Sequence, residues 1–349
     1  MKALGKTCGL VLAFAALASS ARAELAPETQ ALCAKAKAVS VPSEDVACTS
    51  QKPLFKECDS PILYYGIGVA QDYESARKCA YMERERADAK PMGGSGMLMM
   101  IYANGLGVEK NYDLALKFAC EAGGAEAEVE HRVDHLVQLK EEVPLTNCED
   151  NKALFSEEYC AGKIDMCDDI TSGHMQGVCA AKDSAIAEAK NEADLRALTV
   201  AWPVDHRQQF ERLKRLADRY FDNHAENEID LSGSARAAFQ IEEKDAMLEK
   251  FRETLRHFET KLPTYSSLDF KRADKEMQTA YKTQLRKLAT IQRGTTVKLD
   301  NVMRTQKLWL AYRDAWVAFA KLHFPEASAE SIKTYVTLER IGTIWNIAA

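Results

Sequence analysis

Apolar positions recur three and four residues apart along much of the chain, the spacing that lines one face of an α-helix. The clearest stripe runs Val302, Gln306, Trp309, Arg313, Trp316 and Ala320, in a helix that begins near Leu299. Trp309 and Trp316 are its expected core anchors. Arg313 stands between them, placed to lay its stem on an indole and turn its guanidinium to a carboxylate, with Asp274 as one candidate. Upstream, Ala273 to Leu285 has helical spacing. Ala235 to Leu262 predicts a long helix with Phe239, Met247, Leu248, Phe251, Leu255 and Phe258 apolar, stopped by Pro263. Gln209 to His224 predicts another, with Phe210, Leu213, Leu216, Ala217 and Tyr220 on one stripe. Trp202-Pro203 separates it from an Ala-rich helix that ends near Leu198, and Asn227 to Ala235 reads as a polar connection. The last helix, Glu330 to Ile347, carries Ile332, Tyr335, Val336, Leu338 and Ile344, and Glu339 and Arg340 are expected to pair locally. Residues 126–143 predict a further helix, ended by Pro144. The expected fold class is all-α.

The first 23 residues read differently. Lys2 and Lys6 precede an apolar run from Gly9 to Ala18, followed by the small-residue pattern Ala21-x-Ala23. This is the plan of a cleaved signal peptide, with cleavage expected after Ala23 and a periplasmic or secreted mature protein. The run is too short to span a bilayer, and no later segment is long and apolar enough. No cysteine is placed for a lipid anchor.

Cysteine usage fits export. Of ten cysteines, Cys8 falls in the leader, and the other nine, at 33, 48, 58, 79, 120, 148, 160, 167 and 179, all lie in the first half of the expected mature chain, residues 24–349. No Cys-x-x-Cys occurs, so structural disulfides are expected rather than a zinc or redox site. An odd number leaves at least one without an intrachain partner. Cys167 and Cys179 are spaced to tie an entry turn to the Ala-rich helix. Charge is uneven: residues 24–162 carry a net −10, residues 163–262 a net −5 and residues 263–349 a net +6. Acidic charge over the first two thirds, with no basic motif, argues against nucleic-acid binding and suits the steering of a cationic partner.

One motif repeats. Tyr65-Gly66-Ile67-Gly68-Val69, then Asp72-Tyr73 and Ala76, recurs 39 residues later as Asn104-Gly105-Leu106-Gly107-Val108, then Asn111-Tyr112 and Ala115. Gly66, Gly68, Gly105 and Gly107 permit tight turns between antiparallel helices, and Asp72 and Asn111 can cap the helix that follows. Ala76 and Ala115 allow close helix approach beside Tyr73 and Tyr112. The pattern lacks the strand and the lysine of a phosphate-binding loop. It resembles the Sel1-like repeat over about residues 58–124, which implies paired helices stacked as a short solenoid over 24–143.

His131 and His135 are four apart on one helical face, but position 132 is Arg where a metalloprotease motif has Glu, so solvated surface histidines are expected. Residues 144–166 read as a Cys-containing connection. A second resemblance covers residues 163–349. Ala273-Asp274, Met277-Gln278 and Tyr281, then Gln306, Trp309 and Tyr312-Arg313-Asp314, then Leu338-Glu339-Arg340, resemble the lysozyme-inhibitor LprI-like domain. The resemblance aligns Cys167 and Cys179 with that domain's early cysteine pair. It implies a helical domain over 167–349, with an insertion or a diverged copy of the helical unit at about 198–262. The chain departs from the pattern in lacking two further cysteines and in having Gln278 where Asn is usual.

No Gly-x-Ser-x-Gly, zinc signature, P-loop or Cys–His pair is present, so a non-enzyme with no cofactor and no metal is expected. The function implied is a periplasmic protein-binding protein that inhibits a lysozyme or another peptidoglycan-active enzyme by occlusion. The alternative is a non-catalytic envelope adaptor that uses its helical repeats.

Overall fold

A computed structural model describes residues 24–43, 45, 58–86, 91–143, 157–290 and 294–347. The expected signal peptide, Cys8, Cys48, Cys148 and most of the 144–166 connection lie outside the described residues. The described residues form thirteen helices and no strand. No helix among them is long and apolar enough to cross a membrane.

The first core is built by α1 (Pro27–Lys37), α2 (Ser60–Tyr65), α3 (Tyr73–Arg84), α4 (Gly94–Asn104), α5 (Tyr112–Ala122) and α6 (Glu126–Lys140), with the single turn α7 (Glu157–Cys160). Helix α4 is apolar all round, Met97 to Ala103 being buried without interruption, so it can only sit between neighbours; α3 and α5 cover it. The two copies of the repeat motif adopt the same local structure. Gly66 and Gly105 end α2 and α4 in the left-handed region, at φ 71° and 68°. Asp72 and Asn111 then cap α3 and α5, accepting from the amides of Ser75 and Leu114. The copies differ at the next glycine. A Cβ on Gly107 would lie 2.8 Å from Cβ of Tyr73, because the second turn abuts the start of α3, whereas a Cβ on Gly68 meets nothing.

Helix α8 (Gly173–Thr199), 27 residues and roughly 40 Å long, joins the two cores. Met175 and Cys179 at its start belong to the first; Leu195 and Leu198 at its end pack on the second. The Cys167–Cys179 disulfide is therefore part of the first core, although the LprI resemblance assigned the pair to the second domain. Two further bridges, Cys33–Cys120 and Cys58–Cys79, staple the first core, and Cys160 is also disulfide-bonded.

The second core contains α9 (Val204–Asn227), α10 (Arg236–Thr260), α11 (Ser267–Thr290), α12 (Leu299–His323) and α13 (Ala329–Trp345). Phe210, Phe221, Phe251 and Phe258 from the 198–262 stretch share one cluster with Trp309, Trp316 and Phe319. That stretch is thus half of the core, not a loop hung on it. Helix α8 packs on α10 as α11 packs on α13, and α9 and α12, each packed on the helix after it, meet in the middle. Close approach of α8 and α10 depends on Gly173 and Gly177: a Cβ on Gly173 would lie 2.4 Å from the Ser234 backbone. The same contact turns α10, so that Ala238 is buried and Phe239, expected in the core, is 46 % exposed.

Candidate functional site

Four of the LprI-type signature residues meet in the interior of the second core. Gln306, Trp309 and Tyr312 of α12 are buried, and so is Arg340 of α13, at 1 % exposure. Arg340 does not pair with its neighbour Glu339. Its Nη1 and Nη2 donate to the two carboxylate oxygens of Glu228 at 2.6 and 2.7 Å, its Nε donates to Gln306 Oε1 at 3.1 Å, and Nη1 also reaches the Tyr220 hydroxyl at 3.2 Å. His224 extends the chain, lying 2.6 Å from Glu228 and 2.8 Å from Glu243. Burial opposes ionisation of Glu228, yet Arg340 and His224 together hold its carboxyl below the usual range. Burial likewise opposes a charge on His224, and the two carboxylates outweigh it and raise its pKa. Tyr220, His224, Glu228 and Glu243 are absent from the recognised signature; all come from the 198–262 stretch. A buried pair fully satisfied in this way specifies which helices meet.

The second signature pair is a clamp at the edge of the core. Arg313 lies 4.9 Å above the Trp309 ring and 3.4 Å from Asp274, and also over Phe270. Asp314 is exposed beside it, and Tyr281 is half-buried at the edge of the core. Between α9, α10, α12 and α13 a cleft of about 270 Å³ is lined by Phe221, Met247, Phe251, Trp309 and Tyr312, with Glu339 on its margin. Burial pushes Glu339 from 4.5 up to about 7, although Thr254 donates to it at 3.1 Å. A carboxyl whose folded value is raised holds its proton more tightly when folded, so stability falls as pH rises from about 4.5 through about 7. Glu339→Gln removes this cost. Urea unfolding at pH 8 is expected to show a gain on the order of 2 kcal/mol, fading to nothing at pH 4; equal gains at both pH values would mean that the carboxyl is not the cause.

A second concave surface lies on the repeats. Tyr64, Tyr65, Tyr73 and Leu106 line a groove of about 430 Å³ whose other wall carries Asp165 and Asp168. Tyr65 and Asn104 occupy the same repeat position, and both reach this wall. The Tyr65 hydroxyl donates to Asp165 at 2.7 Å, and Asn104 brackets the Ile164 peptide with two bonds of 2.8 Å. Burial pushes Asp168 up to about 6, with the Asp165 amide pulling the other way. Repeat residues Ala76 and Ala115 are fully buried, and Tyr112 is half-buried.

His135 was expected at the surface with His131. Only His131 is exposed. His135 is 3 % exposed, since the segment that follows folds over it and brings Tyr159 to 4.5 Å and Asp169 to 3.3 Å. Among the described residues, the group that could gather a metal ion, Cys58, Cys79 and Glu83, is otherwise engaged: the cysteines bond each other, and Glu83 accepts from Ser60 and the Gly94 amide.

The family model for Lysozyme inhibitor LprI matches residues 259–349, which are α11 to α13 with the end of α10. No curated protein and no solved structure matches the chain. The match supports an LprI-like C-terminal domain and, at the level of that family, an inhibitor rather than a catalytic role.

Proposed function

We propose that this chain is a periplasmic protein-binding protein that inhibits a lysozyme or another peptidoglycan-active enzyme by covering its cleft. The observation that carries the reading is the match of residues 259–349 to an inhibitor family. Charge argues where the contact lies. Residues 263–349 carry a net +6, which repels a cationic enzyme, while residues 24–162 carry a net −10. The tyrosine groove with Asp165 and Asp168 has the aromatic and acidic character suited to a cationic partner. The LprI-like bundle then serves as the rigid base from which the repeats are presented.

The test is hydrolysis of cell-wall substrate by C-type, G-type and I-type lysozymes with oxidised protein comprising residues 24–349. Inhibition of at least one is expected at roughly micromolar protein or below, weakening as salt is raised. Tyr73→Ala is expected to weaken it by roughly tenfold, as loss of an aromatic contact does. Absence of inhibition with all three, in a folded sample, would sink the reading and leave a non-catalytic envelope adaptor built on the repeats.

A further inference from the structure

The tyrosine groove on the repeats holds two aspartates whose situations differ. Both oxygens of Asp165 are taken up. Its Oδ2 accepts from the Tyr65 hydroxyl at 2.7 Å, and its Oδ1 accepts from Lys182 Nζ at 3.3 Å and from the Cys167 amide at 2.9 Å. Asp168 is half satisfied. Its Oδ2 accepts from the Asp165 amide at 2.6 Å. Its Oδ1 has no hydrogen-bond partner among the described residues, and it is not sealed from solvent. A largely desolvated carboxylate with one idle oxygen carries a cost that a cation entering the groove would relieve.

The fold already shows how such a cation is held. Lys182 of α8 pairs with Asp165 and lies 5.2 Å over the Tyr65 ring, so one aspartate and one tyrosine grip one internal cation. Asp168, with Tyr64 and Tyr73, forms a second set of the same kind in the same groove. Among the described residues no lysine or arginine is bonded to Asp168. Tyr64 and Tyr73 meet edge-on, with ring centroids 5.4 Å apart at 72°, so they make a corner rather than a flat wall. Tyr64 is fixed there: it is buried, and Asn104 donates to its hydroxyl at 3.1 Å. Lys163 also lines the groove but is exposed, where water solvates its charge.

We propose that the groove captures one arginine side chain of the protein partner, its guanidinium bonded to Asp168 Oδ1 and laid against Tyr64 and Tyr73. Arginine fits this set better than lysine. A guanidinium is planar, stacks on aromatic faces, gives up its hydration more readily than an ammonium, and can donate to a carboxylate and a phenol at once. The net −10 of residues 24–162 draws a basic surface toward the same side of the molecule. The inference rests on the reading of this groove as the contact with a cationic enzyme, and it adds which side chain is recognised and by which atom.

Two-dimensional NMR titration of the oxidised protein, residues 24–349, tests it with three probes: alanine tripeptides, acetylated and amidated, whose central residue is arginine, lysine or citrulline. Saturable shifts at the amides of Asn104, Leu106 and Asp168 are expected with the arginine peptide, at roughly millimolar affinity. Weaker binding is expected with lysine, and none with citrulline, which keeps the planar end and loses the charge. Asp168→Asn, in a protein whose other resonances are unmoved, is expected to weaken arginine binding by roughly tenfold. Lys163→Ala is expected to strengthen it by removing a cation from the rim. Citrulline or lysine bound as tightly as arginine, undiminished binding in Asp168→Asn, or no saturable shift would each overturn the proposal. Its failure is distinguishable from failure of the inhibitor reading. Arginine capture with no lysozyme inhibited upholds the site and assigns it to another basic protein, whereas lysozyme inhibition that Asp168→Asn leaves unchanged keeps the inhibitor and overturns the arginine site.

Discussion

Arg340→Met, with Glu228 left in place, is expected to lower the free energy of unfolding by about 3–5 kcal/mol, the cost of stranding a buried charge. Glu228 is 0 % exposed and would lose both guanidinium bonds, keeping only His224. Its folded pKa now stands below the ordinary carboxylate value, so the pair stabilises the fold above that value and the contribution is lost as pH falls through the depressed one. In the variant the carboxyl is pushed upward instead, and the deficit should grow from pH 4 to pH 7. Arg340→Lys should recover little, since one ammonium cannot span two carboxylate oxygens. The double change Arg340→Met with Glu228→Leu should recover at least half, because an apolar pair of similar volume leaves no orphaned charge. All four tryptophans, at 202, 309, 316 and 345, lie from residue 202 onward, so tryptophan fluorescence in urea reports this core alone. A loss below about 1 kcal/mol for Arg340→Met would show that aromatic packing, not the ion pair, decides the bundle.

The same residue marks how far the sequence could be read. The stripe through Trp309 and Trp316 is legible because both contacts follow from a 3.6-residue period, and all-helical architecture follows from many such stripes. The partner of Arg340 is not legible. Glu228 is 112 residues upstream, in what reads as a polar connection, while Glu339 stands next door and offers a false local answer. Cys167 and Cys179 align with the early cysteine pair of the LprI-like resemblance, but a bridge between residues 12 apart says nothing about which core it joins. Phe239 lies eight residues before Met247, two turns and a fraction, and so falls on the expected stripe. Only the close contact at Gly173 and Gly177 of another helix shows that the start of α10 presents Ala238 instead. What periodicity reveals is which face is apolar; which polar group meets which is set by tertiary geometry.

Loss of the Cys33–Cys120 bridge, as Cys33→Ser with Cys120→Ser, is expected to destabilise the first core by about 4–5 kcal/mol, the loop-closure value for a separation of 87 residues. The native contacts of α1 are modest: only Thr29 and Ala36 are buried in it, with Ala26 and Lys37 each bonded to a side chain of α6 or α5. The bridge therefore acts less by holding α1 in place than by constraining the unfolded chain between its ends, which includes α2, α3, α4 and most of α5. The same reasoning ranks the other bridges. Cys58–Cys79 closes 21 residues and Cys167–Cys179 closes 12, so their removal should cost about 3 kcal/mol each, the second slightly less. Hydrogen exchange at the central residues of α4 measures this, since those amides open only with the whole core. If exchange in α4 accelerates in the order of loop length, the bridges work through the unfolded ensemble. If removing Cys33–Cys120 instead frees α1 alone and leaves α4 protected, the bridge is a local tether, and α1 is an accessory to a repeat core that stands without it.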